Sequence, residues 1–339
     1  MLKPTTVPLA SLRMLVPPLS ASNYKGSSGK VGVVGGCFEY TGAPFYAALS
    51  ALKLGADLSH VFCDEQAAGP IKGYSPELIV HGCLRSGVAD AAARTAQADE
   101  VTKWFPALSA LVVGPGLGRD AALQAVAAMV VERAISASLP CVLDADGLRL
   151  VLERPAVVRG ARWVVLTPNK PEYGRLVDAL GGGPQGQPGE AADEGTQFAA
   201  LAKQLDGPVV VRKGPTDLIC DGSGTTLLEC NEQGCLKRCG GQGDVLAGSI
   251  ATMLGWAKAA ESKGRLPTTG FGDSGDEPMP APMSAAYAGC LLTRRFAKAA
   301  FAKHKRSMTA PDLIEEIGGV FEEFCPAEPG SDDSIDFIR

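Results

Sequence analysis

Short hydrophobic runs alternate with longer helical patterns from residue 31 to about residue 256. Runs of this length, bounded by glycine and polar residues, predict buried β-strands. The predicted strands lie within 31–36, 57–63, 110–116, 140–146, 162–168 and 208–214. The predicted helices cover 43–56, 121–137 and 244–257. Strands that alternate with helices indicate an α/β fold, with a mostly parallel central sheet covered by helices on both faces.

The C-terminal part of the chain adds a hairpin and two more helices. The stretches DLICDG and TTLLEC, joined by a GSG turn, predict a β-hairpin. Helices are predicted around 283–303 and 311–324. No linker divides the chain, so we expect a single catalytic domain over residues 1–325. Stretches rich in glycine, proline and acidic residues predict flexible insertions near 181–195 and 262–282 and an acidic tail over 326–339.

Composition and charge exclude several classes of protein. The net charge of −5 argues against a nucleic-acid-binding protein, because phosphate neutralisation needs concentrated lysine and arginine. No run of about 18 apolar residues appears, so no membrane span is expected. Several of the ten cysteines lie inside apolar runs and predict buried thiols in a reducing compartment. We do not expect a metal site at Cys230, Cys235 and Cys239, because the spacing lacks a paired CxxC and no histidine is near.

The N-terminal segment bears on location in the cell. It contains Lys3 and Arg13 and no acidic residue before Glu39, which is slightly similar to a mitochondrial presequence. A polar arm that leads into the fold explains the same residues. No secretory signal peptide is visible, because the first apolar stretch is short and broken by prolines. We therefore expect a cytoplasmic protein, with a mitochondrial location as the alternative.

Glycine-rich or polar turns follow four predicted strands. The turns read GPGLGRD after 110–113, DAD after 141–143, TPNKPE after 163–166 and RKGPTD after 208–211. A fifth turn, GGQGD, opens the helix predicted over 244–257. In an open parallel sheet, ligands bind beyond the carboxyl ends of the strands. We therefore expect these five turns to lie on one rim of the sheet and to form the site.

Residues 238–248 read RCGGQGDVLAG and predict an anion-binding turn. Gly240, Gly241 and Gly243 allow positive φ and a close approach of the backbone to a ligand. The helix that follows points its first N–H groups at the same spot. Asp244 fits a helix-capping role, but a cap alone needs no glycine run before it. A carboxylate beside phosphate would be repelled unless it acted there, so Asp244 is a candidate general base for a substrate hydroxyl.

This turn resembles the GxGD turn of the ribokinase-like superfamily, in which the glycines form an anion hole and the aspartate is the base. The ordered motifs GGCFEYTGAPFYAALSALKLGADLSHVFC, GPGLGR, DADGL, LTPNKPEYGRL, VVRKGPTDLICDG and RCGGQGDVLAG are similar to those of the ATP- or ADP-dependent NAD(P)H-hydrate dehydratases. The similarity covers roughly residues 12–258. Gln242, where threonine is more usual, resembles the eukaryotic branch, which uses ATP.

The resemblance implies a repair reaction on reduced nicotinamide cofactors. NADH or NADPH that has added water to its ring no longer transfers hydride. The family phosphorylates the added hydroxyl with ATP, and phosphate then leaves to restore the double bond. Asp244 would deprotonate the hydroxyl, and the amides from Gly241 to Gly243 would hold the transferring phosphoryl group. The resemblance also implies Mg²⁺ as cofactor, ATP as co-substrate, and an NAD(P)H-hydrate epimerase on a separate chain, and it is compatible with a homo-oligomer.

Matching positions imply two nucleotide-binding segments. The first follows a strand and consists of Lys213, Gly214, Pro215, Thr216 and Asp217. The second leads into the anion hole and consists of Gly234, Cys235, Leu236, Lys237, Arg238, Cys239, Gly240 and Gln242.

The hydrated cofactor would be bound by three further segments. They supply Thr41, Gly42, Ala43, Gly116, Gly118, Asn169, Lys170, Pro171, Glu172, Tyr173, Gly174 and Arg175. Asn169 and Glu172 also have the NxxE spacing that helps related kinases hold Mg²⁺, largely through water. The same pair fits a helix start, with an N-cap asparagine and an acid in the first turn. Both interpretations can hold together.

Other polar residues leave alternatives open. Asp144 and Asp146 fit either a solvated turn or a role in positioning Mg²⁺ or substrate. His60, His81 and His304 show no pattern, and His60 is predicted to be structural because it lies in a strand.

Two other functions share these motifs. A small-molecule kinase of the hydroxymethylpyrimidine or hydroxyethylthiazole type would have the same fold, anion hole and base. A nucleotide-binding protein without catalysis would retain the fold, but the intact Asp244 and glycines speak against it. ATP hydrolysis that requires the hydrated cofactor would separate the three.

Overall fold

The computed structural model describes residues 7–181, 194–266 and 279–327. Lys3, most of the two predicted insertions and the predicted tail from residue 328 onward lie outside these described residues. The outer parts of the predicted insertions are helical instead. Residues 194–195 open one helix, Ser262 ends another, and residues 281–282 open a third.

Nine strands of the described chain form one sheet in the order β3-β2-β1-β4-β5-β6-β7-β8-β9. The strands are β1 (Lys30–Val34), β2 (Leu58–Asp64), β3 (Ile79–Leu84), β4 (Ala110–Val113), β5 (Cys141–Leu143), β6 (Val164–Leu166), β7 (Val209–Arg212), β8 (Asp217–Cys220) and β9 (Leu227–Cys230). Pairing is parallel from β3 to β7. The last two strands are antiparallel and form the hairpin that the sequence predicts.

The α-helices of the described residues cover both faces of this sheet. They are α1 (Leu9–Arg13), α2 (Gly42–Leu54), α3 (Glu65–Tyr74), α4 (Ala91–Thr102), α5 (Ala121–Ser136), α6 (Arg149–Glu153), α7 (Lys170–Ala179), α8 (Glu194–Leu205), α9 (Gln242–Ser262), α10 (Ala281–His304), α11 (Ala310–Glu315) and α12 (Ile317–Phe324). No helix among them is both long and apolar enough to cross a membrane.

Two hydrophobic layers sandwich the sheet, which confirms the predicted α/β architecture. Along β4, Ala110 and Val112 point into the layer formed with α2, α9 and α10. Leu111 and Val113 point into the other layer, formed with α4, α5 and α8. This alternation follows from the two-residue period of a strand. Because both of their faces are buried, the central parallel strands β4, β5 and β6 consist entirely of apolar residues.

Small residues bring α2 and α9 close together. A Cβ atom on Gly248 of α9 would lie 2.2 Å from the carbonyl oxygen of Ala47 in α2. A glycine at this position therefore allows a backbone contact that any side chain would prevent. The close packing fixes the start of α9 against the sheet.

Several predictions about local structure are incomplete or wrong. The helix predicted over 311–324 is divided at Glu316 into α11 and α12. The edge strand β3 was not predicted, because its His81 and Gly82 interrupt the apolar alternation.

Two of the three histidines form a pair, although the sequence shows no pattern among them: His60 Nδ1 lies 3.1 Å from His81 Nε2, and their rings stack. Burial lowers the pKa of His60 to about 4, so this pair is neutral and structural, as predicted for His60.

The cysteines agree with the predicted buried thiols. Cys63, Cys141, Cys220, Cys230 and Cys290 are buried free thiols. Burial raises the pKa of Cys141 to about 12, so this thiol stays protonated.

Candidate active site

The glycine turn before α9 requires glycine for two separate reasons. Gly241 is the N-cap residue and has a left-handed backbone, with φ +92° and ψ −17°. A Cβ atom there would lie 2.5 Å from Cβ of Ala310 and 2.8 Å from Cδ2 of Tyr46. No described side chain caps this helix N-terminus. The first amides of α9 therefore remain available to an anion near the Tyr46 ring and Ala310, as the predicted anion hole needs.

Asp244 lies in the first turn of α9, as predicted, although the helix begins two residues earlier, at Gln242. Its side chain is half-buried. Burial raises the pKa of the Asp244 carboxyl well above its usual value, and the nearby Asp144 carboxylate raises it further, while Lys213 opposes the rise. A carboxylate whose pKa is raised is a stronger base than one in water. The site therefore gives Asp244 the property that a general base needs.

Asp144 and Lys213 form a buried ion pair beside Asp244. Lys213 Nζ donates to Asp144 Oδ1 over 2.7 Å, and Thr167 Oγ1 donates to the same oxygen over 2.7 Å. Asp144 is only 2% exposed, so its interpretation as a solvated turn is wrong. Burial lowers the pKa of Lys213, but the carboxylates of Asp144 and Glu172 outweigh burial and raise it. Lys213 therefore remains a cation inside the site.

Asn169 and Glu172 form a capping box at the start of α7. The Asn169 side chain accepts from the Glu172 amide over 3.0 Å, and Glu172 Oε2 accepts from the Asn169 amide over 2.7 Å. The predicted helix start is thus confirmed. Glu172 Oε2 also lies 4.0 Å from Lys213 Nζ. The same carboxylate therefore faces the charged cluster, which we define as Asp144, Glu172, Lys213 and Asp244.

The structure brings the predicted glycines Gly116 and Gly118 to the loop that precedes α2. A Cβ atom on Gly116, whose φ is +61°, would lie 2.6 Å from the carbonyl oxygen of Tyr40. The amide of Gly118 donates to Asp146 Oδ2 over 2.9 Å, so Asp146 shapes this turn. Thr41 follows Tyr40 directly, and its hydroxyl hydrogen-bonds Tyr74 over 2.7 Å. Gly42 and Ala43 open α2 at the same rim.

Not every predicted substrate residue points its side chain into the site. The Tyr173 ring lies against Phe198 with 5.8 Å between centroids, and the Arg212 guanidinium lies 5.3 Å from the Tyr173 ring. This places the Tyr173 ring on the hydrophobic layer under α7 rather than at the rim, because it lies on a different face of the helix from Glu172. Other residues of the same helix are exposed, namely Lys170, Pro171, Gly174 and Arg175.

A cavity of about 1050 Å³ opens beside the charged cluster. Among the predicted nucleotide residues it is lined by Lys213, Gly214, Pro215, Asp217, Gly234, Cys235, Leu236, Arg238, Cys239 and Gln242. Asn169 and Gly243 line it where it meets the cluster, whereas Thr216, Lys237 and Gly240 are not part of its lining. A volume of this size suits a nucleotide, since ligand sites commonly measure about 300–1,000 Å³.

The sequence analysis missed the wall of this cavity that α10 supplies. The wall includes the apolar residues Ala297 and Phe301 and the cation Lys298, and Lys305 lines the cavity just beyond the end of the helix. Arg294 also lines it, with its guanidinium bound to Asp217 and to loop carbonyl oxygens. An apolar surface suits a nucleotide base, and cations suit phosphates. The pattern of α10 predicts only a buried helix, because its cavity-facing positions are few and lie among core residues.

The charged cluster fits Mg²⁺ that is held largely through water and phosphate. No group of three or more metal-ligating side chains occurs within the described parts of the chain, so a cage of protein ligands is not built there. Mg²⁺ typically uses one or two carboxylates and keeps several waters. Asp144 and Glu172 supply such carboxylates. Asp144 lies close to the start of α9, because its Oδ2 is 3.8 Å from the position that a Cβ atom on Gly243 would occupy.

The described chain has a ribokinase-like fold. The chain is similar to a solved ribokinase-like superfamily protein from Enterococcus faecalis, with a TM-score of 0.69 and 18% identity over 94% of this chain and 95% of that chain. It is also similar to the ADP/ATP-dependent NAD(P)H-hydrate dehydratase from Bacillus subtilis, co-crystallised with ATP and Mg²⁺, with a TM-score of 0.63 and 20% identity over 94% and 97% of the two chains.

Sequence comparison narrows this class to one family. The profile of the Carb_kinase family, described as NAD(P)H-hydrate dehydratase, matches residues 31–318. The human ATP-dependent (S)-NAD(P)H-hydrate dehydratase is 45% identical over 315 residues, which cover 93% of this chain and 84% of the human protein. The chain therefore belongs to the NAD(P)H-hydrate dehydratase family, which confirms the resemblance inferred from its motifs.

Proposed function

We propose that this protein is an ATP-dependent NAD(P)H-hydrate dehydratase that returns hydrated NADH and NADPH to their active forms. The observation that carries the proposal is the position of Asp244. Its carboxyl, with a raised pKa, lies in the first turn of α9 behind the left-handed Gly241. The charged cluster and the nucleotide-sized cavity lie on the side from which ATP would approach. The family match over most of the chain supports the same function.

The reaction follows from this arrangement in two steps. Asp244 takes the proton of the hydroxyl on the hydrated ring, and the oxygen then bonds to the γ-phosphorus of ATP while ADP leaves. The amides from Gly241 to Gly243 hold the charge on the phosphoryl group during transfer. In the second step the carbon–oxygen bond breaks with its electron pair going to phosphate. The proton of the neighbouring carbon passes to water, and its carbon–hydrogen electron pair re-forms the ring double bond.

The two nucleotide-binding segments and the α10 wall would bind ATP, with its phosphates toward the start of α9. Lys213 would contact the phosphates, since its charge is kept by Asp144 and Glu172. Mg²⁺ would neutralise phosphate charge. Asn169 and Glu172, together with Asp144, would hold it largely through water. The rim formed by Thr41–Ala43, Gly116, Gly118 and the start of α7 would bind the hydrated cofactor.

The proposal also covers the domain organisation, the partner enzyme and the cellular location. We infer a single catalytic domain over residues 1–325, and the family match over residues 31–318 supports it. A separate epimerase would supply the substrate epimer that this enzyme accepts. The location would be cytoplasmic or mitochondrial.

A repair assay with hydrated NADH, Mg²⁺ and ATP tests this function directly. We expect the reduced-nicotinamide absorbance to return only when ATP is present. In Asp244→Asn, turnover should fall by about 10²–10⁴-fold, the usual contribution of a general base, while ATP binding measured by calorimetry is retained. A near-normal rate in this variant would contradict the assignment of Asp244. If the parent protein binds ATP but repairs no hydrate, a panel of small kinase substrates becomes the next test.

A further inference from the structure

One arginine of α10 connects both predicted nucleotide-binding segments. Arg294 Nε donates to Asp217 Oδ2 over 2.7 Å. Its two terminal nitrogens donate to the carbonyl oxygens of Gly214 and Pro215, each over 2.8 Å, and to that of Glu232 over 3.2 Å. The first three acceptors belong to the segment after β7. Glu232 belongs to the loop after β9, two residues before the second segment begins.

This arrangement is withdrawn from water. The Arg294 side chain is 12% exposed and that of Asp217 is 9% exposed. Asp217 Oδ1 also accepts from the Gly214 amide over 2.9 Å, so the carboxylate closes the first segment on itself. Gly234 lies over the arginine, since a Cβ atom there would be 3.7 Å from Arg294 Cγ. All three guanidinium nitrogens are therefore used to hold backbone and carboxylate atoms of the cavity wall.

We propose that Arg294 is a positioning residue for ATP, which holds the two nucleotide-binding segments in the arrangement that accepts the nucleotide. The inference rests on the proposed function, because it takes the cavity to be the ATP site. Asp217, which the motif match assigns to ATP binding, then acts mainly through Arg294 and the Gly214 amide. Arg294 contacts the first segment and the loop that leads into the second, whereas Asp244 and the hydrate rim lie on other elements.

The geometry of a guanidinium is essential to this role. Its donors form a planar fork, whereas a lysine ammonium is a compact charge that cannot reach four acceptors from two loops at once. Arg294→Lys keeps the positive charge near Asp217 but leaves most of the carbonyl oxygens unpaired. The two segments should then sample more conformations. ATP would bind only the fraction in the correct arrangement, so the Kd for ATP should rise.

The test compares Arg294→Lys with Arg133→Lys. Arg133 also joins two elements, since it donates to Asp99 and Thr102 between α5 and α4, but it does not line the cavity. In Arg294→Lys we expect the Kd and KM for MgATP to rise about tenfold, the size expected for one lost charge-assisted hydrogen bond. We expect kcat at saturating ATP and the KM for hydrated NADH to stay near the parent values. Hydrogen exchange should become faster in residues 213–217 and 231–240 only.

Several outcomes would overturn the inference. One is an unchanged Kd for MgATP in Arg294→Lys. Another is a fall in kcat together with a rise in both KM values, seen equally in Arg294→Lys and Arg133→Lys. That result would indicate general destabilisation. If Arg294→Lys does not fold, Asp217→Asn serves instead. It keeps one acceptor oxygen, which can still pair with the Gly214 amide, and puts a donor in place of the oxygen that accepts from Arg294. The same rise in the Kd for MgATP is expected, and its absence would contradict the role. A parent protein that binds no ATP would instead refute the proposed function.

Discussion

The glycine turn and the charged cluster meet at one point of the site but are built in different ways. The turn consists of five consecutive residues, 240–244, and its geometry is set by local backbone conformation. The cluster draws Asp144 from the end of β5, Glu172 from α7 and Lys213 from the end of β7. Its members are separated by tens of residues in the chain and meet only because β5, β6 and β7 are neighbours in the sheet.

This difference determines how each region responds to substitution. In the turn, a methyl group added at Gly241 collides with Ala310 Cβ and the Tyr46 ring, so the effect is steric and local. In the cluster, the charges tune one another, so a substitution acts at a distance through the pKa of a neighbour. Substitutions in the two regions should therefore give different kinds of defect, a loss of rate in one and a shifted pH dependence in the other.

After Asp244→Asn, the largest loss of rate is expected from Gly241→Ala. The left-handed backbone disfavours alanine by about 1–2 kcal/mol, and the new methyl group would collide with Ala310 and Tyr46. Displacement of the anion hole by about 1 Å should lower kcat by about 10²-fold. The control is Gly264→Ala just beyond the other end of α9, where φ is +63° and no atom lies within 4 Å of the added Cβ. Gly264→Ala should lose some thermal stability but keep its kcat. Equal kcat losses in Gly241→Ala and Gly264→Ala would mean that backbone strain alone explains the defect.

The same contrast explains what the sequence could predict. The glycine turn, Asp244 and the N-cap at Asn169 are local features, and the sequence placed all of them correctly. The buried strands were predicted because both of their faces lie in apolar layers. The ion pair between Asp144 and Lys213 was not predicted, because a strand end does not show whether its aspartate is solvated or is covered by the neighbouring strand's lysine.

The α10 wall was missed for a related reason. Arg294 looks like a surface residue in sequence, since it is followed by Arg295 within an alanine-rich helix. Only the tertiary structure shows that its guanidinium reaches the loops after β7 and β9. Tyr173 gives the opposite case, because a motif match assigns it to the substrate while helix geometry turns its ring toward Phe198.

An intermediate effect is expected in the pH dependence of kcat. Asp244 must be ionised to accept a proton, so its pKa sets the acidic limb of the profile. Lys213 lowers the pKa of Asp244 and Asp144 raises it. Lys213→Met should therefore move the acidic limb to higher pH, whereas Asp144→Asn should move it to lower pH. Both variants will be slower than the parent, so the comparison uses the midpoint of the limb at saturating substrates; shifts in the same direction would show that the cluster does not tune Asp244.

The smallest effect concerns stability without ligand. The pKa of Asp244 is raised in the folded state, so the folded protein holds this proton more tightly than the unfolded chain. The Asp244 carboxyl costs the folded protein no stability below the pKa that it has in the unfolded chain. The loss is complete once pH has risen through the folded pKa, and it amounts to about 1.4 kcal/mol for each unit by which folding raises the pKa. Asp244→Asn removes this titration. Its Tm should therefore exceed that of the parent by a margin that grows as pH rises from the unfolded pKa through the raised folded pKa.

Asp312 provides a control of opposite sign for that measurement. Hydrogen bonds from Thr309 lower the pKa of Asp312 in the capping box of α11. Its contribution is present above the unfolded pKa and is lost as pH falls through the folded pKa. Asp312→Asn should therefore melt below the parent at neutral pH, and the gap should close in acid. If Asp244→Asn showed the same sign as Asp312→Asn, the folded protein would be stabilising the Asp244 carboxylate, and the raised pKa that supports its role as the base would have to be abandoned.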